Sequence, residues 1–249
     1  MAKTLELIGV SGVGKTSVYN RLRWSQPRLT NACTLRSVQR KRLLASGGLK
    51  GLLRWLEFQI RPVFPSALQS STLQRFIEQN PDLSLLVLTL IHKKCTHDKN
   101  TLARAYRGFE LFCRTFVRYQ MIKEYRARKY VLMQEGFVQR LKGFSLEYGT
   151  RLDASLHEHI SNLVNGIVFL SAPPEVIEER LRWRSKRRDE GELSLPSMED
   201  RLNEIRRSIL AYEKVIPRLE EKGVSCWRID ASGSLHQTVR KVAGVLGNL

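Results

Sequence analysis

The chain has no apolar run long enough to cross a bilayer. Its longest candidate, Leu83 to Ile91, is about half of the ~18 apolar residues a membrane span needs, so no membrane association is expected. Cysteine is scarce: Cys33, Cys95, Cys113 and Cys226 are scattered without paired spacing. That argues against a disulfide framework and fits reduced thiols in a cytoplasm. There is no basic start followed by an apolar core and a small-residue cleavage site, so secretion is not expected either. Internal repeats and low-complexity tracts are absent. No D-x-x-G follows a strand at a sensible distance and no N-K-x-D is present, which disfavours a signalling GTPase. His92, Cys95 and His97 lie close together but have no fourth ligand nearby, so a metal site on them is not expected.

Acidic residues are also few. Asp and Glu number 24 against 42 Lys and Arg, a formal net charge of +18. Arginine predominates among the cations, and its planar fork suits phosphate and carboxylate. The charge points to a polyanionic partner, and nucleic acid is one candidate. At 249 residues with 42% apolar content, the chain can bury one sizeable α/β core.

What is present is concentrated near the amino terminus. Gly9-Val10-Ser11-Gly12-Val13-Gly14-Lys15-Thr16 reads G-x-x-x-x-G-K-T, preceded by the apolar run Thr4–Ile8 and followed by Ser17–Leu22, which can open a helix. Strand, glycine-rich loop and helix are the context in which this motif cradles phosphates. Gly9, Gly12 and Gly14 let consecutive N–H groups converge, and the following helix adds its positive dipole end. Lys15 is expected to reach the β- and γ-phosphates of ATP, Thr16 to bind Mg²⁺, and Gly9 through Ser17 to form the nucleotide-binding loop.

Further along, Thr34–Ser37 reads as a second strand, and Arg40-Lys41-Arg42 with Gly47-Gly48 as an exposed connection. From Leu49 to Arg128 strand signals nearly vanish. Leu52, Leu53, Leu56 and Ile60 repeat at helical spacing until Pro62 and Pro65. Asn80-Pro81 reads as an N-cap and first turn leading into a buried helix. A longer amphipathic helix is expected over 101–128, its apolar face formed by Leu102, Ala105, Tyr106, Phe109, Phe112, Cys113, Phe116 and Val117. Arg104, Arg107, Arg114 and Arg118 fall on its other side. Arg36, Arg107, Arg114 and Arg118 are the candidates for holding an anionic acceptor.

Tyr130–Met133 reads as a strand buried on both faces, ending in Gln134-Glu135-Gly136. Ligands of such sheets bind outside the carboxyl ends of the strands. Glu135 is therefore the expected general base toward the acceptor, or a Mg²⁺ ligand through water. A helix over 152–164, a buried strand Gly166–Leu170, and a helix over 175–188 follow. The last carries Arg180, Arg184 and Arg188, expected to offset charge developing in phosphoryl transfer, within a lid over 180–197. Met198, Leu202, Ile205, Ile209, Tyr212, Ile216 and Leu219 form a seam on a long helix that Pro217 bends. Val224–Asp230 reads as the last strand and Leu235–Leu246 as the closing helix.

In this order of motifs the chain resembles the P-loop kinases of nucleosides and nucleotides, thymidylate kinase most of all. The resemblance rests on the Walker A loop, the strand ending in Gln134-Glu135-Gly136, the strand and arginine-rich helix from Val168 to Arg184, and Arg228-Ile229-Asp230-Ala231. It implies a three-layer α/β P-loop NTPase domain over 1–249 with a mostly parallel five-stranded sheet and a large helical insertion, 39–128. It also implies an ATP- and Mg²⁺-dependent phosphotransferase acting on an anionic or hydroxyl-bearing acceptor. A homodimer is compatible with it. The family's third strand ends in an acidic residue followed by Arg. Here Gln134 and Glu135 occupy that region, and the next arginine is Arg140. The competing reading is a nucleic-acid-directed P-loop enzyme, such as an RNA or DNA end kinase or a polynucleotide-stimulated ATPase.

Overall fold

The computed structural model describes residues 2–24, 32–45, 66–96, 102–125, 129–140, 154–186 and 197–249. The expected helix around Leu52–Ile60 and the part of the expected lid from 187 to 196 lie outside them. Five strands are hydrogen-bonded in the order β2-β3-β1-β4-β5: β1 Lys3–Gly9, β2 Ala32–Thr34, β3 Tyr130–Gln134, β4 Gly166–Ser171 and β5 Ser225–Asp230. Every defined register is parallel: Leu5 lies opposite Gly166, Gly166 opposite Ser225, and Ala32 opposite Tyr130. The chain divides into two compact units, Met1–Thr4 with Asn31–Met133, and Leu5–Thr30 with Gln134–Leu249.

The first unit is mainly helical, holding α2 Leu35–Ala45, α3 Ser66–Gln79, α4 Pro81–Thr96 and α5 Leu102–Lys123, while α1, Lys15–Trp24, belongs to the second unit. Helix α5 packs on α2, α3 and α4. Phe76 of α3 stacks on Phe116 of α5 with ring centroids 4.5 Å apart, and Leu43, Val117 and Met121 form a buried cluster with Leu73 against it. Glu124, just past α5, accepts from Arg42 at 2.7 Å and Arg75 at 3.0 Å, joining three helices by charge.

Several expectations for this region are corrected. The second strand is Ala32–Thr34, so Leu35, Arg36 and Ser37 open α2 instead, and Arg40–Arg42 are helical rather than a loop. Asn80 holds the expected N-cap position, since α4 starts at Pro81 and the Asn80 carbonyl accepts from Ser84 N–H at 3.1 Å. Its Nδ2 donates back to the Phe76 carbonyl at 2.9 Å, closing α3, while its own carbonyl also accepts from the Ser84 hydroxyl. The helix after Pro81 is not buried throughout: Leu83, Val87 and Ile91 are, but Leu85 and Leu88 are 66% and 48% exposed. On α5 the core contact is displaced toward the carboxyl end. Phe112, Phe116, Val117, Met121 and Ile122 are buried, whereas Tyr106 is 72% exposed.

The second unit holds α1 Lys15–Trp24, α6 Ala154–Ser161, α7 Pro174–Lys186, α8 Met198–Glu220 and α9 Leu235–Gly247. Leu5, Leu7 and Ile8 of β1, and Ile167, Val168 and Leu170 of β4, are wholly buried, as continuous apolar runs on a two-faced parallel sheet require. Helix α1 packs on α9, and α8 on α6, α7 and β5. Helix starts follow local chemistry. Pro174 supplies a pre-set first turn with Glu175 beside the dipole's positive end, the Ser197 hydroxyl caps α8 by accepting from Asp200 N at 3.1 Å, and Ser234 with Gln237 forms a capping box at α9. Helix α8 runs through Pro217 and closes at Gly223, whose φ of 85° lets Val224 N–H reach the Leu219 carbonyl at 3.0 Å. The seam of α8 is buried at Ile205, Tyr212, Ile216 and Leu219, while Met198 is exposed.

Candidate functional site

The chain leaves β1 at Gly9 and enters α1 at Lys15, so the loop between them sits at the carboxyl end of a buried parallel strand. Gly9, Gly12 and Gly14 have φ of 149°, 90° and 105°, a region that L side chains rarely enter. Two of them are also packed. A Cβ on Gly9 would lie 2.5 Å from the Leu170 carbonyl oxygen, and one on Gly12 2.7 Å from Leu181 Cγ, whereas one on Gly14 would meet nothing within 4 Å. The loop is anchored by strand and helix at its first two glycines and open at its third.

Lys15 is buried, and its ammonium donates to the Gly9 carbonyl at 2.7 Å and the Val10 carbonyl at 2.9 Å. These bonds hold the cation inside the loop's curve. The Thr16 hydroxyl accepts from the Gln134 side-chain amide at 2.7 Å. The loop and the β3 tip thus meet through Gln134. Glu135, the residue expected to face the phosphates, follows with a φ of 60°. Its carboxylate pairs with Arg140 at 3.0 Å and stays half-exposed.

Beneath this turn lies a wholly buried carboxylate, Glu6, on β1. It accepts from Val138 N–H at 3.1 Å, and its carboxylate fills the space that a side chain on Gly136 would need. Tyr212 of α8, also wholly buried, reaches Gln139 Oε1 at 2.6 Å and the Gly9 carbonyl at 3.2 Å. Burial, reinforced by Glu6, pushes its phenol well above the usual range, so it remains a neutral donor.

A cleft of about 710 Å³ opens over the loop. It is lined by Ser11 through Val18, Gln134, Glu135, Arg180 and Arg184, with Ala231, Gly233, Ser234, Leu235 and Thr238 on the side of α9. The Arg180 guanidinium donates to the carbonyls of Val13, Ser232 and Gly233 at 3.3, 3.2 and 3.1 Å, tying the glycine-rich loop to the turn after β5. That turn is shaped by Asp230, whose carboxylate accepts from Ser232 N–H at 2.9 Å and is held below the usual range chiefly by Ser232.

Of the residues singled out in the sequence, Ser11 to Ser17, Glu135, Arg180 and Arg184 line this one cleft, and Gly9 and Val10 form its inner loop. Arg36, Arg114 and Arg118 sit on α2 and α5 of the first unit, where Arg114 pairs with Glu110 one helical turn away. The side chain of Arg107, and all of Arg188, lie outside the described residues, as do the Cys95 side chain and His97. Gln134, Tyr212, Glu6 and the 231–238 wall were not assigned roles from sequence. The wall had a legible signal in Ser234-x-x-Gln237. Glu6 has one too, as the one charge within the apolar run Thr4–Ile8. Compared with known proteins, the chain matches no protein-family model and no curated protein. Among the described residues, no helix is long and apolar enough to cross a membrane.

Proposed function

We propose that this chain is a P-loop phosphotransferase that binds ATP on residues 9–17 and moves its γ-phosphoryl group to a small anionic or hydroxyl-bearing acceptor. The observation that carries the reading is the Lys15 ammonium, held by two loop carbonyls at the floor of an open cleft. An incoming polyphosphate offers that cation stronger acceptors than neutral carbonyls, and the loop amides and the start of α1 offer it donors. The parallel sheet, with the loop leaving β1 at its carboxyl edge, supports the three-layer P-loop layout.

Thr16 presents an exposed hydroxyl in the cleft, the hard oxygen donor that Mg²⁺ takes beside phosphate oxygens. Bound there, Mg²⁺ would neutralise charge on the β- and γ-phosphates. Gln134 orients that hydroxyl. Glu135 reaches the same cleft as an acceptor-side carboxylate, with Arg140 fixing its position. Arg180 builds the wall between loop and α9, leaving Arg184 as the described cation directed at transferred charge.

The test is an acceptor screen with Mg²⁺-ATP against nucleosides, nucleoside monophosphates, sugars and RNA ends, with Lys15→Ala as the blank. Acceptor-dependent ADP release that Lys15→Ala abolishes supports the proposal. Failure of the wild-type protein to bind ATP or ADP at millimolar concentration overturns it. Transfer to RNA ends alone would favour the nucleic-acid-directed reading.

A further inference from the structure

The Gly9 carbonyl has two suitors. The Lys15 ammonium lies 2.7 Å from it and the Tyr212 hydroxyl 3.2 Å, while the same hydroxyl lies 2.6 Å from Gln139 Oε1. A phenol has one proton to give. With a cation already on the Gly9 oxygen, the short contact to Gln139 is the better place for it. We propose that Tyr212 is a positioning residue for the phosphate loop: when phosphate draws Lys15 away, the Tyr212 hydroxyl takes over the Gly9 carbonyl. This rests on the phosphate-binding reading of residues 9–17.

The physical need is specific. Gly9 is buried at the end of β1, and a buried carbonyl stripped of its partner is costly. Tyr212 is fixed for the exchange, since its ring packs against Phe169 of β4 at 5.3 Å between centroids and the side chain is wholly buried. The hydroxyl need only redirect its proton. Gln139 can then turn its amide and donate to the phenol oxygen. Because Gln139 lies in the helical segment 137–140 that directly follows Gln134 and Glu135, the exchange also passes loop occupancy toward the tip of β3.

Tyrosine Cζ chemical shifts report where a phenol proton points. The full chain, labelled with ¹³C at tyrosine Cζ, would be followed by NMR, with Tyr212 identified as the resonance missing from Tyr212→Phe. Adding inorganic tripolyphosphate to the wild type should shift that resonance. Lys15→Ala, with no ligand present, should shift it the same way, and tripolyphosphate should then add nothing. Gln139→Leu, which keeps the hydroxyl and removes its other acceptor, should also move it toward the ligand-bound position. Calorimetry should show Tyr212→Phe binding tripolyphosphate roughly three- to tenfold more weakly, the worth of one hydrogen bond. If neither Lys15→Ala nor Gln139→Leu moves the resonance, the exchange is overturned. If both move it but tripolyphosphate does not bind the wild type, the exchange stands and the phosphate-binding reading fails.

Discussion

The amide of Gln134, the last residue of β3, donates to the hydroxyl of Thr16 at 2.7 Å. A neutral amide therefore stands beside the hydroxyl proposed to hold Mg²⁺. The two contacts can be separated. Thr16→Val deletes the oxygen and keeps the branched shape. ADP affinity in EDTA should be unchanged within about twofold, while the gain conferred by Mg²⁺ is lost. Gln134→Ala removes one neutral hydrogen bond, about 0.5–1.5 kcal/mol, so turnover should fall only about three- to tenfold. Calorimetry with and without Mg²⁺ checks the first, steady-state kinetics the second. A Thr16→Val protein that retains the full Mg²⁺ effect refutes the assignment.

The glycines of the loop should fail in different ways. Gly12→Ala places a Cβ 2.7 Å from Leu181 Cγ at a φ of 90°, adding steric overlap to backbone strain, about 2–5 kcal/mol together. Its main symptom should be a lowered urea midpoint. Gly14→Ala meets no atom within 4 Å and carries only the strain of its φ of 105°, about 1–3 kcal/mol. Its methyl group would stand where a phosphate must approach the backbone, so nucleotide affinity should fall about tenfold or more. Paired denaturation and ADP titrations would show the crossover.

Helices α7 and α8 are clamped by charge. Glu178 is buried and accepts from Arg201 Nε at 3.0 Å and Nη2 at 2.6 Å. Arg201→Ala leaves that carboxylate buried without its guanidinium, at about 3–5 kcal/mol. The double variant Glu178→Leu with Arg201→Met should recover most of the loss, because two apolar groups of similar size need no pairing. Chemical denaturation of the three proteins decides it; additive losses in the double variant would contradict the pairing argument.

Local sequence pattern and tertiary neighbours share the specification of these elements unequally. The glycine-rich strand-to-helix loop is legible in the sequence because glycine spacing, a strand before it and a helix after it are local features, and β3, β4 and β5 stand out as apolar runs between turn residues. The second strand is shifted from its expected place because only Thr34 of Thr34–Ser37 belongs to β2, while Leu35 to Ser37 already wind into α2. A three-residue strand paired with β3 draws its identity from its partner rather than from its own pattern. Tyr212 looked like one more seam residue, since helical spacing reports which face is buried and not what its hydroxyl meets. The exposed Leu85 and Leu88 show the same limit from the other side: a run apolar all round predicts burial, but neighbours decide which face receives it. Glu135 was placed in the cleft by topology, yet its pairing with Arg140 depends on a left-handed turn that no propensity announces.

Thiol ionisation gives pH a hold on the folded state. Burial pushes Cys226, on β5, up to about 11, a shift that Arg228 only partly opposes. Burial likewise raises Cys33 and Cys113. The thiolate is the reactive form, so at about pH 8 Cys33, Cys113 and Cys226 of the folded protein, followed in Cys95→Ser, should react with a disulfide reagent far more slowly than in the urea-unfolded chain. A thiol whose folded value is raised favours the folded state fully below the unfolded value, near 9, and that contribution is lost as pH rises toward the folded value. Wild type and Cys226→Ala should therefore converge in stability between about pH 9 and 11, wild type losing more. Urea midpoints measured across that window test it. A stability difference that stays constant with pH would show that Cys226 ionises alike in both states.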